Sequence, residues 1–112
     1  METKIHKTLI QWFPDAFVDF NESVTGNSDY GVLRHFARYT QKLIQQNSDK
    51  KKEPFNIINL LYFKSTRYEK NAIENEFFSA LAIEEKPKTL KEHLELMPES
   101  LRSVYIQIIL EN

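Results

Sequence analysis

The sequence predicts an all-α fold: a single helical domain over residues 1–112, with six or seven short antiparallel helices packed as a compact irregular bundle or a solenoid-like stack. Only two glycines occur, both flanking one loop, whereas a β-rich domain of this size needs more turn glycines. No Asn-Gly or Asp-Gly pair marks a hairpin. Apolar residues instead recur at helical spacing nearly throughout, which favours helices.

Two helices are predicted before the first loop. Residues 3–13 form the first, and Pro14 ends or kinks it because proline cannot continue the backbone hydrogen bonding. Asp15 is then placed to cap a short second helix. The apolar residues of this second helix are Phe17, Val18 and Phe20.

The clearest helix covers residues 30–46. Residues 24–29 (VTGNSD) form a loop before it, and Ser28 or Asp29 is its expected N-cap. At 3.6 residues per turn its apolar side chains fill one continuous arc, which predicts a core-facing helix. These side chains are Val32, Leu33, Phe36, Ala37, Tyr39, Leu43 and Ile44.

The stretch FNIINLLYF, residues 55–63, is apolar on every side of the helix that it predicts. Residues 47–53 form a charged loop before it, and Pro54 suits the first turn of a helix. Leu60 and Phe63 lie opposite the side that carries Phe55. A helix that is apolar all round is usually buried, so this one is predicted to be the centre of the domain.

Three further helices are expected. The first contains NAIENEFFSAL, residues 71–81, and ends near Ile83. Pro87 opens a short helix, and Pro98 opens the last one. Ile106 and Leu110 lie off the main apolar face of this last helix, so they either form a homodimer seam or partner site, or pack on the first helix.

Composition limits the classes of function. The net charge is −1, so no global field attracts nucleic acid or an acidic membrane. The absence of cysteine excludes disulfides, thiolate metal sites and cysteine catalysis. No signal peptide and no membrane span is visible, so a cytoplasmic protein is expected.

Glu74 is the most unusual polar residue, because it interrupts an apolar helical stripe. On a regular helix Glu74 and Glu76 lie on opposite sides of Phe77, so they cannot serve one substrate as an acid–base pair. A carboxylate at the edge of an apolar face needs a partner. It either has a raised pKa in a ligand pocket or, as we favour, has a structural partner. That partner is a cation such as Arg34, His35 or Arg67, or the N–H of a loop.

No other pattern indicates catalysis, a metal or a cofactor. The three histidines are isolated, without His-x-x-x-His or Glu-x-x-His spacing. A Gly-x-Ser-x-Gly elbow is missing, and two glycines cannot form a phosphate-binding loop. We therefore expect neither a catalytic residue nor a cofactor nor a metal ligand.

Arg34, Arg38 and Lys42 form a basic stripe, spaced four residues apart on the exposed side of the helix over residues 30–46. Lys50, Lys51 and Lys52 follow. The stripe can bind phosphates or an acidic partner surface, although a solvated helix face is the simpler interpretation. Nucleic acid is disfavoured because no aromatic residues interleave with these charges on the exposed side of the helix.

The aromatic content is high for a core of this size, with eight Phe, five Tyr and one Trp. Some of these rings are expected to reach the surface, where they commonly mark interfaces.

Two segments resemble a known type of domain: the helix NAIENEFFSAL and the following LKEHLELMPESLRSVY. Together with GVLRHFARYTQKL and FNIINLLYF upstream, they resemble small all-helical bacterial domains of unknown function over most of residues 1–109. Met97-Pro98 departs from the Leu-Gly that is more usual there. The resemblance implies an immunity-type protein that accompanies a toxin, and it carries over no functional residues.

The sequence therefore predicts a non-catalytic protein-interaction module, with an immunity-type inhibitor as its specific form. The expected partner is another protein, and a homodimer is the alternative. The second hypothesis is a small ligand-binding protein or hydrolase with a pocket around Glu74 and His35. The predicted binding residues are Arg34, His35, Arg38, Lys42 and Glu74.

Overall fold

Six α-helices and one 3₁₀ turn make up the part of the chain that the computed structural model describes, residues 3–18 and 28–111, and these ranges contain no strand. The elements are α1 Lys4–Trp12, the 3₁₀ turn Pro14–Phe17, α2 Asp29–Gln45, α3 Glu53–Phe63, α4 from Arg67–Ala72 through Ile73–Phe78 to Ser79–Ala82, α5 Pro87–Leu96 and α6 Glu99–Glu111. The radius of gyration is 13.2 Å, a compact value for this length. The predicted all-α domain of six or seven helices is confirmed.

Helix α1 begins and ends as the sequence indicates. The Thr3 side chain caps its start by accepting the N–H of His6, and Pro14 begins the 3₁₀ turn just beyond its end. Asp15 does not cap a second helix, so that prediction is wrong: Phe13 stands at the N-cap position, and Asp15 lies inside the turn. Phe20, and residues 24–27 of the predicted loop, lie outside the described residues.

Helix α2 has the predicted cap and the predicted buried arc. The Ser28 side chain accepts the N–H of Gly31, and the first half of the apolar arc is fully buried. At the other end Asn47 has φ 52°, in the left-handed region. The chain can reverse there because asparagine tolerates this conformation better than most residues, and the N–H of Ser48 bonds back to the Leu43 carbonyl at 2.9 Å.

Helix α3 is not the buried centre of the domain, so that prediction is wrong. Phe55 and Ile58 are fully buried, but Leu60 is 56% exposed and Phe63 is 50% exposed. The helix lies at the edge of the domain, where only one side meets the core. In a chain of 112 residues, few helices can be covered on all sides.

The centre of the domain is formed by α2 and α4, which contact each other along all three segments of α4. The middle segment, Ile73–Phe78, is a π-helix. The N–H of Ser79 bonds to the carbonyl of Glu74, five residues earlier, instead of four. This wider turn lets adjacent pairs of apolar side chains face the core. The buried residues of α4 are Ala72, Ile73, Phe77, Phe78 and Leu81.

Phe77 joins the aromatic core across three helices. Its ring centroid lies 5.9 Å from that of Phe36 on α2, 5.9 Å from that of Phe55 on α3, and 5.5 Å from that of its neighbour Phe78. These are ordinary distances for favourable aromatic pairs.

Helix α6 closes the domain with Leu101, Tyr105 and Ile108 buried. Ile106 is 42% exposed and Leu110 is 80% exposed. Leu110 is therefore too exposed to pack on the first helix. Ile106 and Leu110 remain candidates for contact with a partner protein or with a second copy of the chain.

Candidate functional site

A groove between α1 and α3 carries the largest exposed apolar side chain of α1. Trp12 is 64% exposed and lies on one wall, and Leu60 lies on the other. The two helices run antiparallel, since Lys4 in the first turn of α1 donates to the carbonyl of Lys64 just after α3, at 2.8 Å. The groove encloses about 250 Å³. Its lining residues are Trp12, Phe13, Glu53, Asn56, Ile57 and Leu60.

A second groove, of about 260 Å³, lies between the 3₁₀ turn and α2. It brings together three of the predicted binding residues, His35, Arg38 and Lys42. The Nε2–H of His35 donates to the carbonyl of Ala16 at 2.6 Å, which fixes the imidazole against the turn. The full lining is Asp15, Ala16, His35, Arg38, Tyr39 and Lys42.

The two grooves are linked by an aromatic contact, and together they are here called the Trp12 surface. Phe13 of the first groove contacts Tyr39 of the second, with ring centroids 6.2 Å apart. Burial raises the pKa of Tyr39, and the negative charges of Asp15 and Glu53 raise it further. Asp15 lines the second groove and Glu53 lines the first. The surface combines an apolar centre with a charged edge, which is the usual composition of a protein interface.

Arg34 does not belong to this surface, although it begins the basic stripe. Its Nε and Nη2 donate to the two carboxylate oxygens of Glu76, at 3.1 and 3.0 Å. The hydrogen bond and the charge of Glu76 raise the pKa of Arg34. This two-pronged ion pair joins α2 to the π-helical segment of α4. All three cations of the stripe are exposed, but the charge of Arg34 is paired with Glu76, whereas Arg38 and Lys42 line the second groove.

The partner of Glu74 is a tyrosine, not a cation or a loop N–H as the sequence suggested. The hydroxyl of Tyr62 on α3 donates to the Glu74 carboxylate. Glu74 therefore meets α3, whereas Glu76 meets α2, so the two carboxylates point to different helices. Arg67 lines an open pocket together with Glu74, but His35 lines the separate groove on α2. Glu74 and His35 therefore do not share the pocket that the enzyme hypothesis required.

A buried polar cluster on the other side of the domain was not found from the sequence. Glu85, whose side chain is 8% exposed, follows α4 and accepts three hydrogen bonds. They come from His93 Nδ1 at 2.8 Å, the Tyr105 hydroxyl at 2.5 Å and the Thr89 hydroxyl at 2.7 Å. A buried carboxylate is stable when its lone pairs are used in this way. The one nearby sequence feature that could have indicated this cluster was Thr89, a hydroxyl residue four positions after Glu85 at the start of a helix.

Comparison with protein families gives one match. A domain of unknown function, DUF7674, matches residues 6–111. The chain belongs to this family. No curated protein and no solved structure gives a significant match to the chain. The predicted membership in a family of helical domains of unknown function is thus supported over nearly the whole chain.

The DUF7674 domain shows no geometry for a metal ion within residues 3–18 and 28–111, where no three His, Asp or Glu side chains come together as ligands. In the same part of the chain, no helix has both the length and the apolar content that crossing a membrane requires.

The DUF7674 domain is expected to lose stability at alkaline pH. Burial, then the hydrogen bond to Glu85 and its charge, raise the pKa of Tyr105. An unfolded tyrosine ionises near pH 10, so the stabilisation is complete below about pH 10 and is lost as the pH rises beyond it. Urea unfolding midpoints between about pH 9 and pH 11 measure this loss. Tyr105→Phe should make the decline shallower, whereas Tyr68→Phe, at an exposed tyrosine, should leave its slope unchanged.

Proposed function

We propose that this DUF7674 domain is a non-catalytic protein-interaction module that binds a partner protein through the Trp12 surface. One observation carries the proposal: Trp12 and Leu60, two large apolar side chains that are 64% and 56% exposed, form the opposite walls of one groove. Single exposed apolar residues are common, but two that line a groove together are typical of binding sites. Tryptophan in particular is enriched among residues that dominate binding energy.

The occupant that fits the groove is an apolar side chain of a partner protein with a basic residue beside it. A volume of about 250 Å³ is below the range of sites for drug-sized ligands and suits one anchoring side chain. Glu53 lies on the rim of the groove and Asp15 lies in the second one, so both can pair with the partner's cation. Arg38 and Lys42, further along α2, are exposed and can meet carboxylates.

Inhibition of the partner is the more specific form of this proposal. It rests on the resemblance of the helical segments to immunity-type proteins. In this form, the domain binds a toxin and blocks its activity. Such a complex requires shape complementarity and charge pairing at the interface, and no reacting group of its own, so the Trp12 surface meets its needs.

Affinity capture from the native host with matched variants tests the binding surface. We expect a stoichiometric protein to bind the unmodified domain, and expect the double variant Trp12→Ala/Leu60→Ala to bind it at least about 10-fold less tightly, since interface anchors contribute about 2 kcal/mol or more each. Ile83→Ala is the control, because Ile83 is 82% exposed but lines neither groove. Equal binding by the double variant and the control would contradict the proposal.

A further inference from the structure

A small cavity lies between α2, α4 and α5, and none of its lining residues belongs to the Trp12 surface. It encloses about 140 Å³. Ile44 and Leu81 form its apolar wall, while His93 of the buried cluster provides part of its polar wall. The cavity therefore places a buried imidazole where a ligand can reach it.

The buried cluster fixes which ring nitrogen of His93 can serve a ligand. Nδ1 lies 2.8 Å from the Glu85 carboxylate, and its N–H donates a hydrogen bond to that carboxylate. Glu85 is in turn held by the hydroxyl of Tyr105, a fully buried residue. In the neutral ring Nε2 carries no proton, so it is an acceptor. Metal-binding and catalytic histidines are oriented by the same kind of carboxylate contact.

Among the other polar groups of the cavity, the Thr89 hydroxyl has no proton left to donate, whereas the amides of Gln41 and Gln45 can both donate and accept. The single proton of the Thr89 hydroxyl is used on Glu85 at 2.7 Å, and the same oxygen accepts the N–H of Lys86 at 2.8 Å. Gln41 uses one N–H of its amide on the Ala80 carbonyl at 3.1 Å, so a second N–H and the carbonyl oxygen remain. With His93 Nε2 and the carboxylates of Glu84 and Glu92, acceptors still outnumber donors in the cavity, so a complementary ligand supplies donors.

The charge of the cavity selects among donors. Glu84 and Glu92 add two carboxylates to its lining, and no lysine or arginine lines it among the residues that the structure describes. We infer that the cavity binds a small cation with several N–H donors, a guanidinium or ammonium group on a short apolar stem. The charged head would meet His93 Nε2 and the Glu92 carboxylate, and the stem would lie on Ile44 and Leu81. This cavity shares no lining residue with the Trp12 surface, so the inference does not depend on the proposed function.

Titration with methylguanidinium, followed by amide chemical shifts at about pH 8, tests the inference. We expect saturable shifts confined to the residues that line the cavity, with a dissociation constant on the order of millimolar, as befits a ligand of so few atoms. N-methylurea has nearly the same shape without the charge, and should bind at least about 10-fold more weakly. Equal binding of the two compounds, or no localised shift with methylguanidinium, would overturn the inference.

A matched pair of variants separates the cavity from the general surface charge. Glu92→Gln removes a carboxylate that lines the cavity, and should weaken methylguanidinium binding about 5-fold or more. Glu95→Gln makes the same change at an exposed position of α5 outside the cavity, and should leave binding within about twofold. Equal weakening by both variants would show a long-range charge effect and overturn the inference.

The source of the cation is decided by a second probe, N-acetyl-arginine methylamide. If it binds with shifts at the same residues, the cavity can accept an arginine side chain of another protein. If methylguanidinium binds and the blocked arginine does not, the natural ligand is a free small amine or guanidine. Either outcome supports the inference that the cavity binds a cation.

Discussion

Replacing Phe77 with alanine is expected to lower the free energy of unfolding by about 3–5 kcal/mol. The Phe77 side chain is fully buried where α2, α3 and α4 meet, and its ring contacts those of Phe36 and Phe55. Truncation removes the transfer energy of the ring and leaves a cavity that these rigid neighbours cannot fill. Urea unfolding followed by circular dichroism measures the loss.

The control for this prediction is Phe63→Ala. Phe63 is also aromatic and helical, but it is 50% exposed on the outer side of α3. Its truncation should cost about 1 kcal/mol or less. A comparable loss at both positions would contradict the arrangement in which α2 and α4, rather than α3, form the centre of the domain.

Replacing Glu85 with alanine is expected to lower the free energy of unfolding by about 2–4 kcal/mol. The carboxylate is the shared acceptor for His93, Tyr105 and Thr89. Without it, buried donors are left without a partner, and each such donor costs about 1–3 kcal/mol unless water enters. The loss should be visible in the same urea unfolding measurement.

Glu84→Ala provides the matched control for Glu85→Ala. Glu84 is the adjacent glutamate and is exposed, so its removal should change the free energy of unfolding by about 0.5 kcal/mol or less. Equal effects of the two substitutions would mean that the cluster around Glu85 does not hold α5 and α6 to the rest of the domain.

The sequence predicts well those features that depend on neighbouring residues. The arc of α2 and the Ser28 cap follow from spacing and from the hydroxyl next to the first turn, and both are present. Pro14 and Pro87 mark helix boundaries because proline restricts its own backbone. Local chemistry of this kind does not change with the rest of the fold.

Features that depend on which helices meet were predicted poorly. The apolar residues of α3 were correctly placed on a helix, but only packing decides that Leu60 is left at the surface. The partner of Glu74 was missed because only packing brings Tyr62, on another helix, to its carboxylate. The π-helical segment, which breaks the 3.6-residue period, was missed as well. The closely paired apolar residues Ala72-Ile73 and Phe77-Phe78, five positions apart, were the available signal for it.

The candidate site depends on such contacts as well. The spacing places His35, Arg38 and Lys42 on one side of one helix, but the 3₁₀ turn that completes their groove comes from elsewhere in the chain. Trp12 and Leu60 are 48 positions apart, and nothing local indicates that α1 and α3 place them across one groove. Long-range contacts of this kind appear only in the folded domain.

Site-specific photocrosslinking tests the binding role of the Trp12 surface most directly. A benzophenone amino acid is incorporated at Leu60, Ile83 and Leu110 in turn, all of which are exposed apolar positions, and each protein is irradiated with host lysate. The proposed function predicts a covalent adduct with one partner protein from position 60, and none from positions 83 and 110. An adduct from position 110 with none from position 60 would contradict it, and would place the interface on α6.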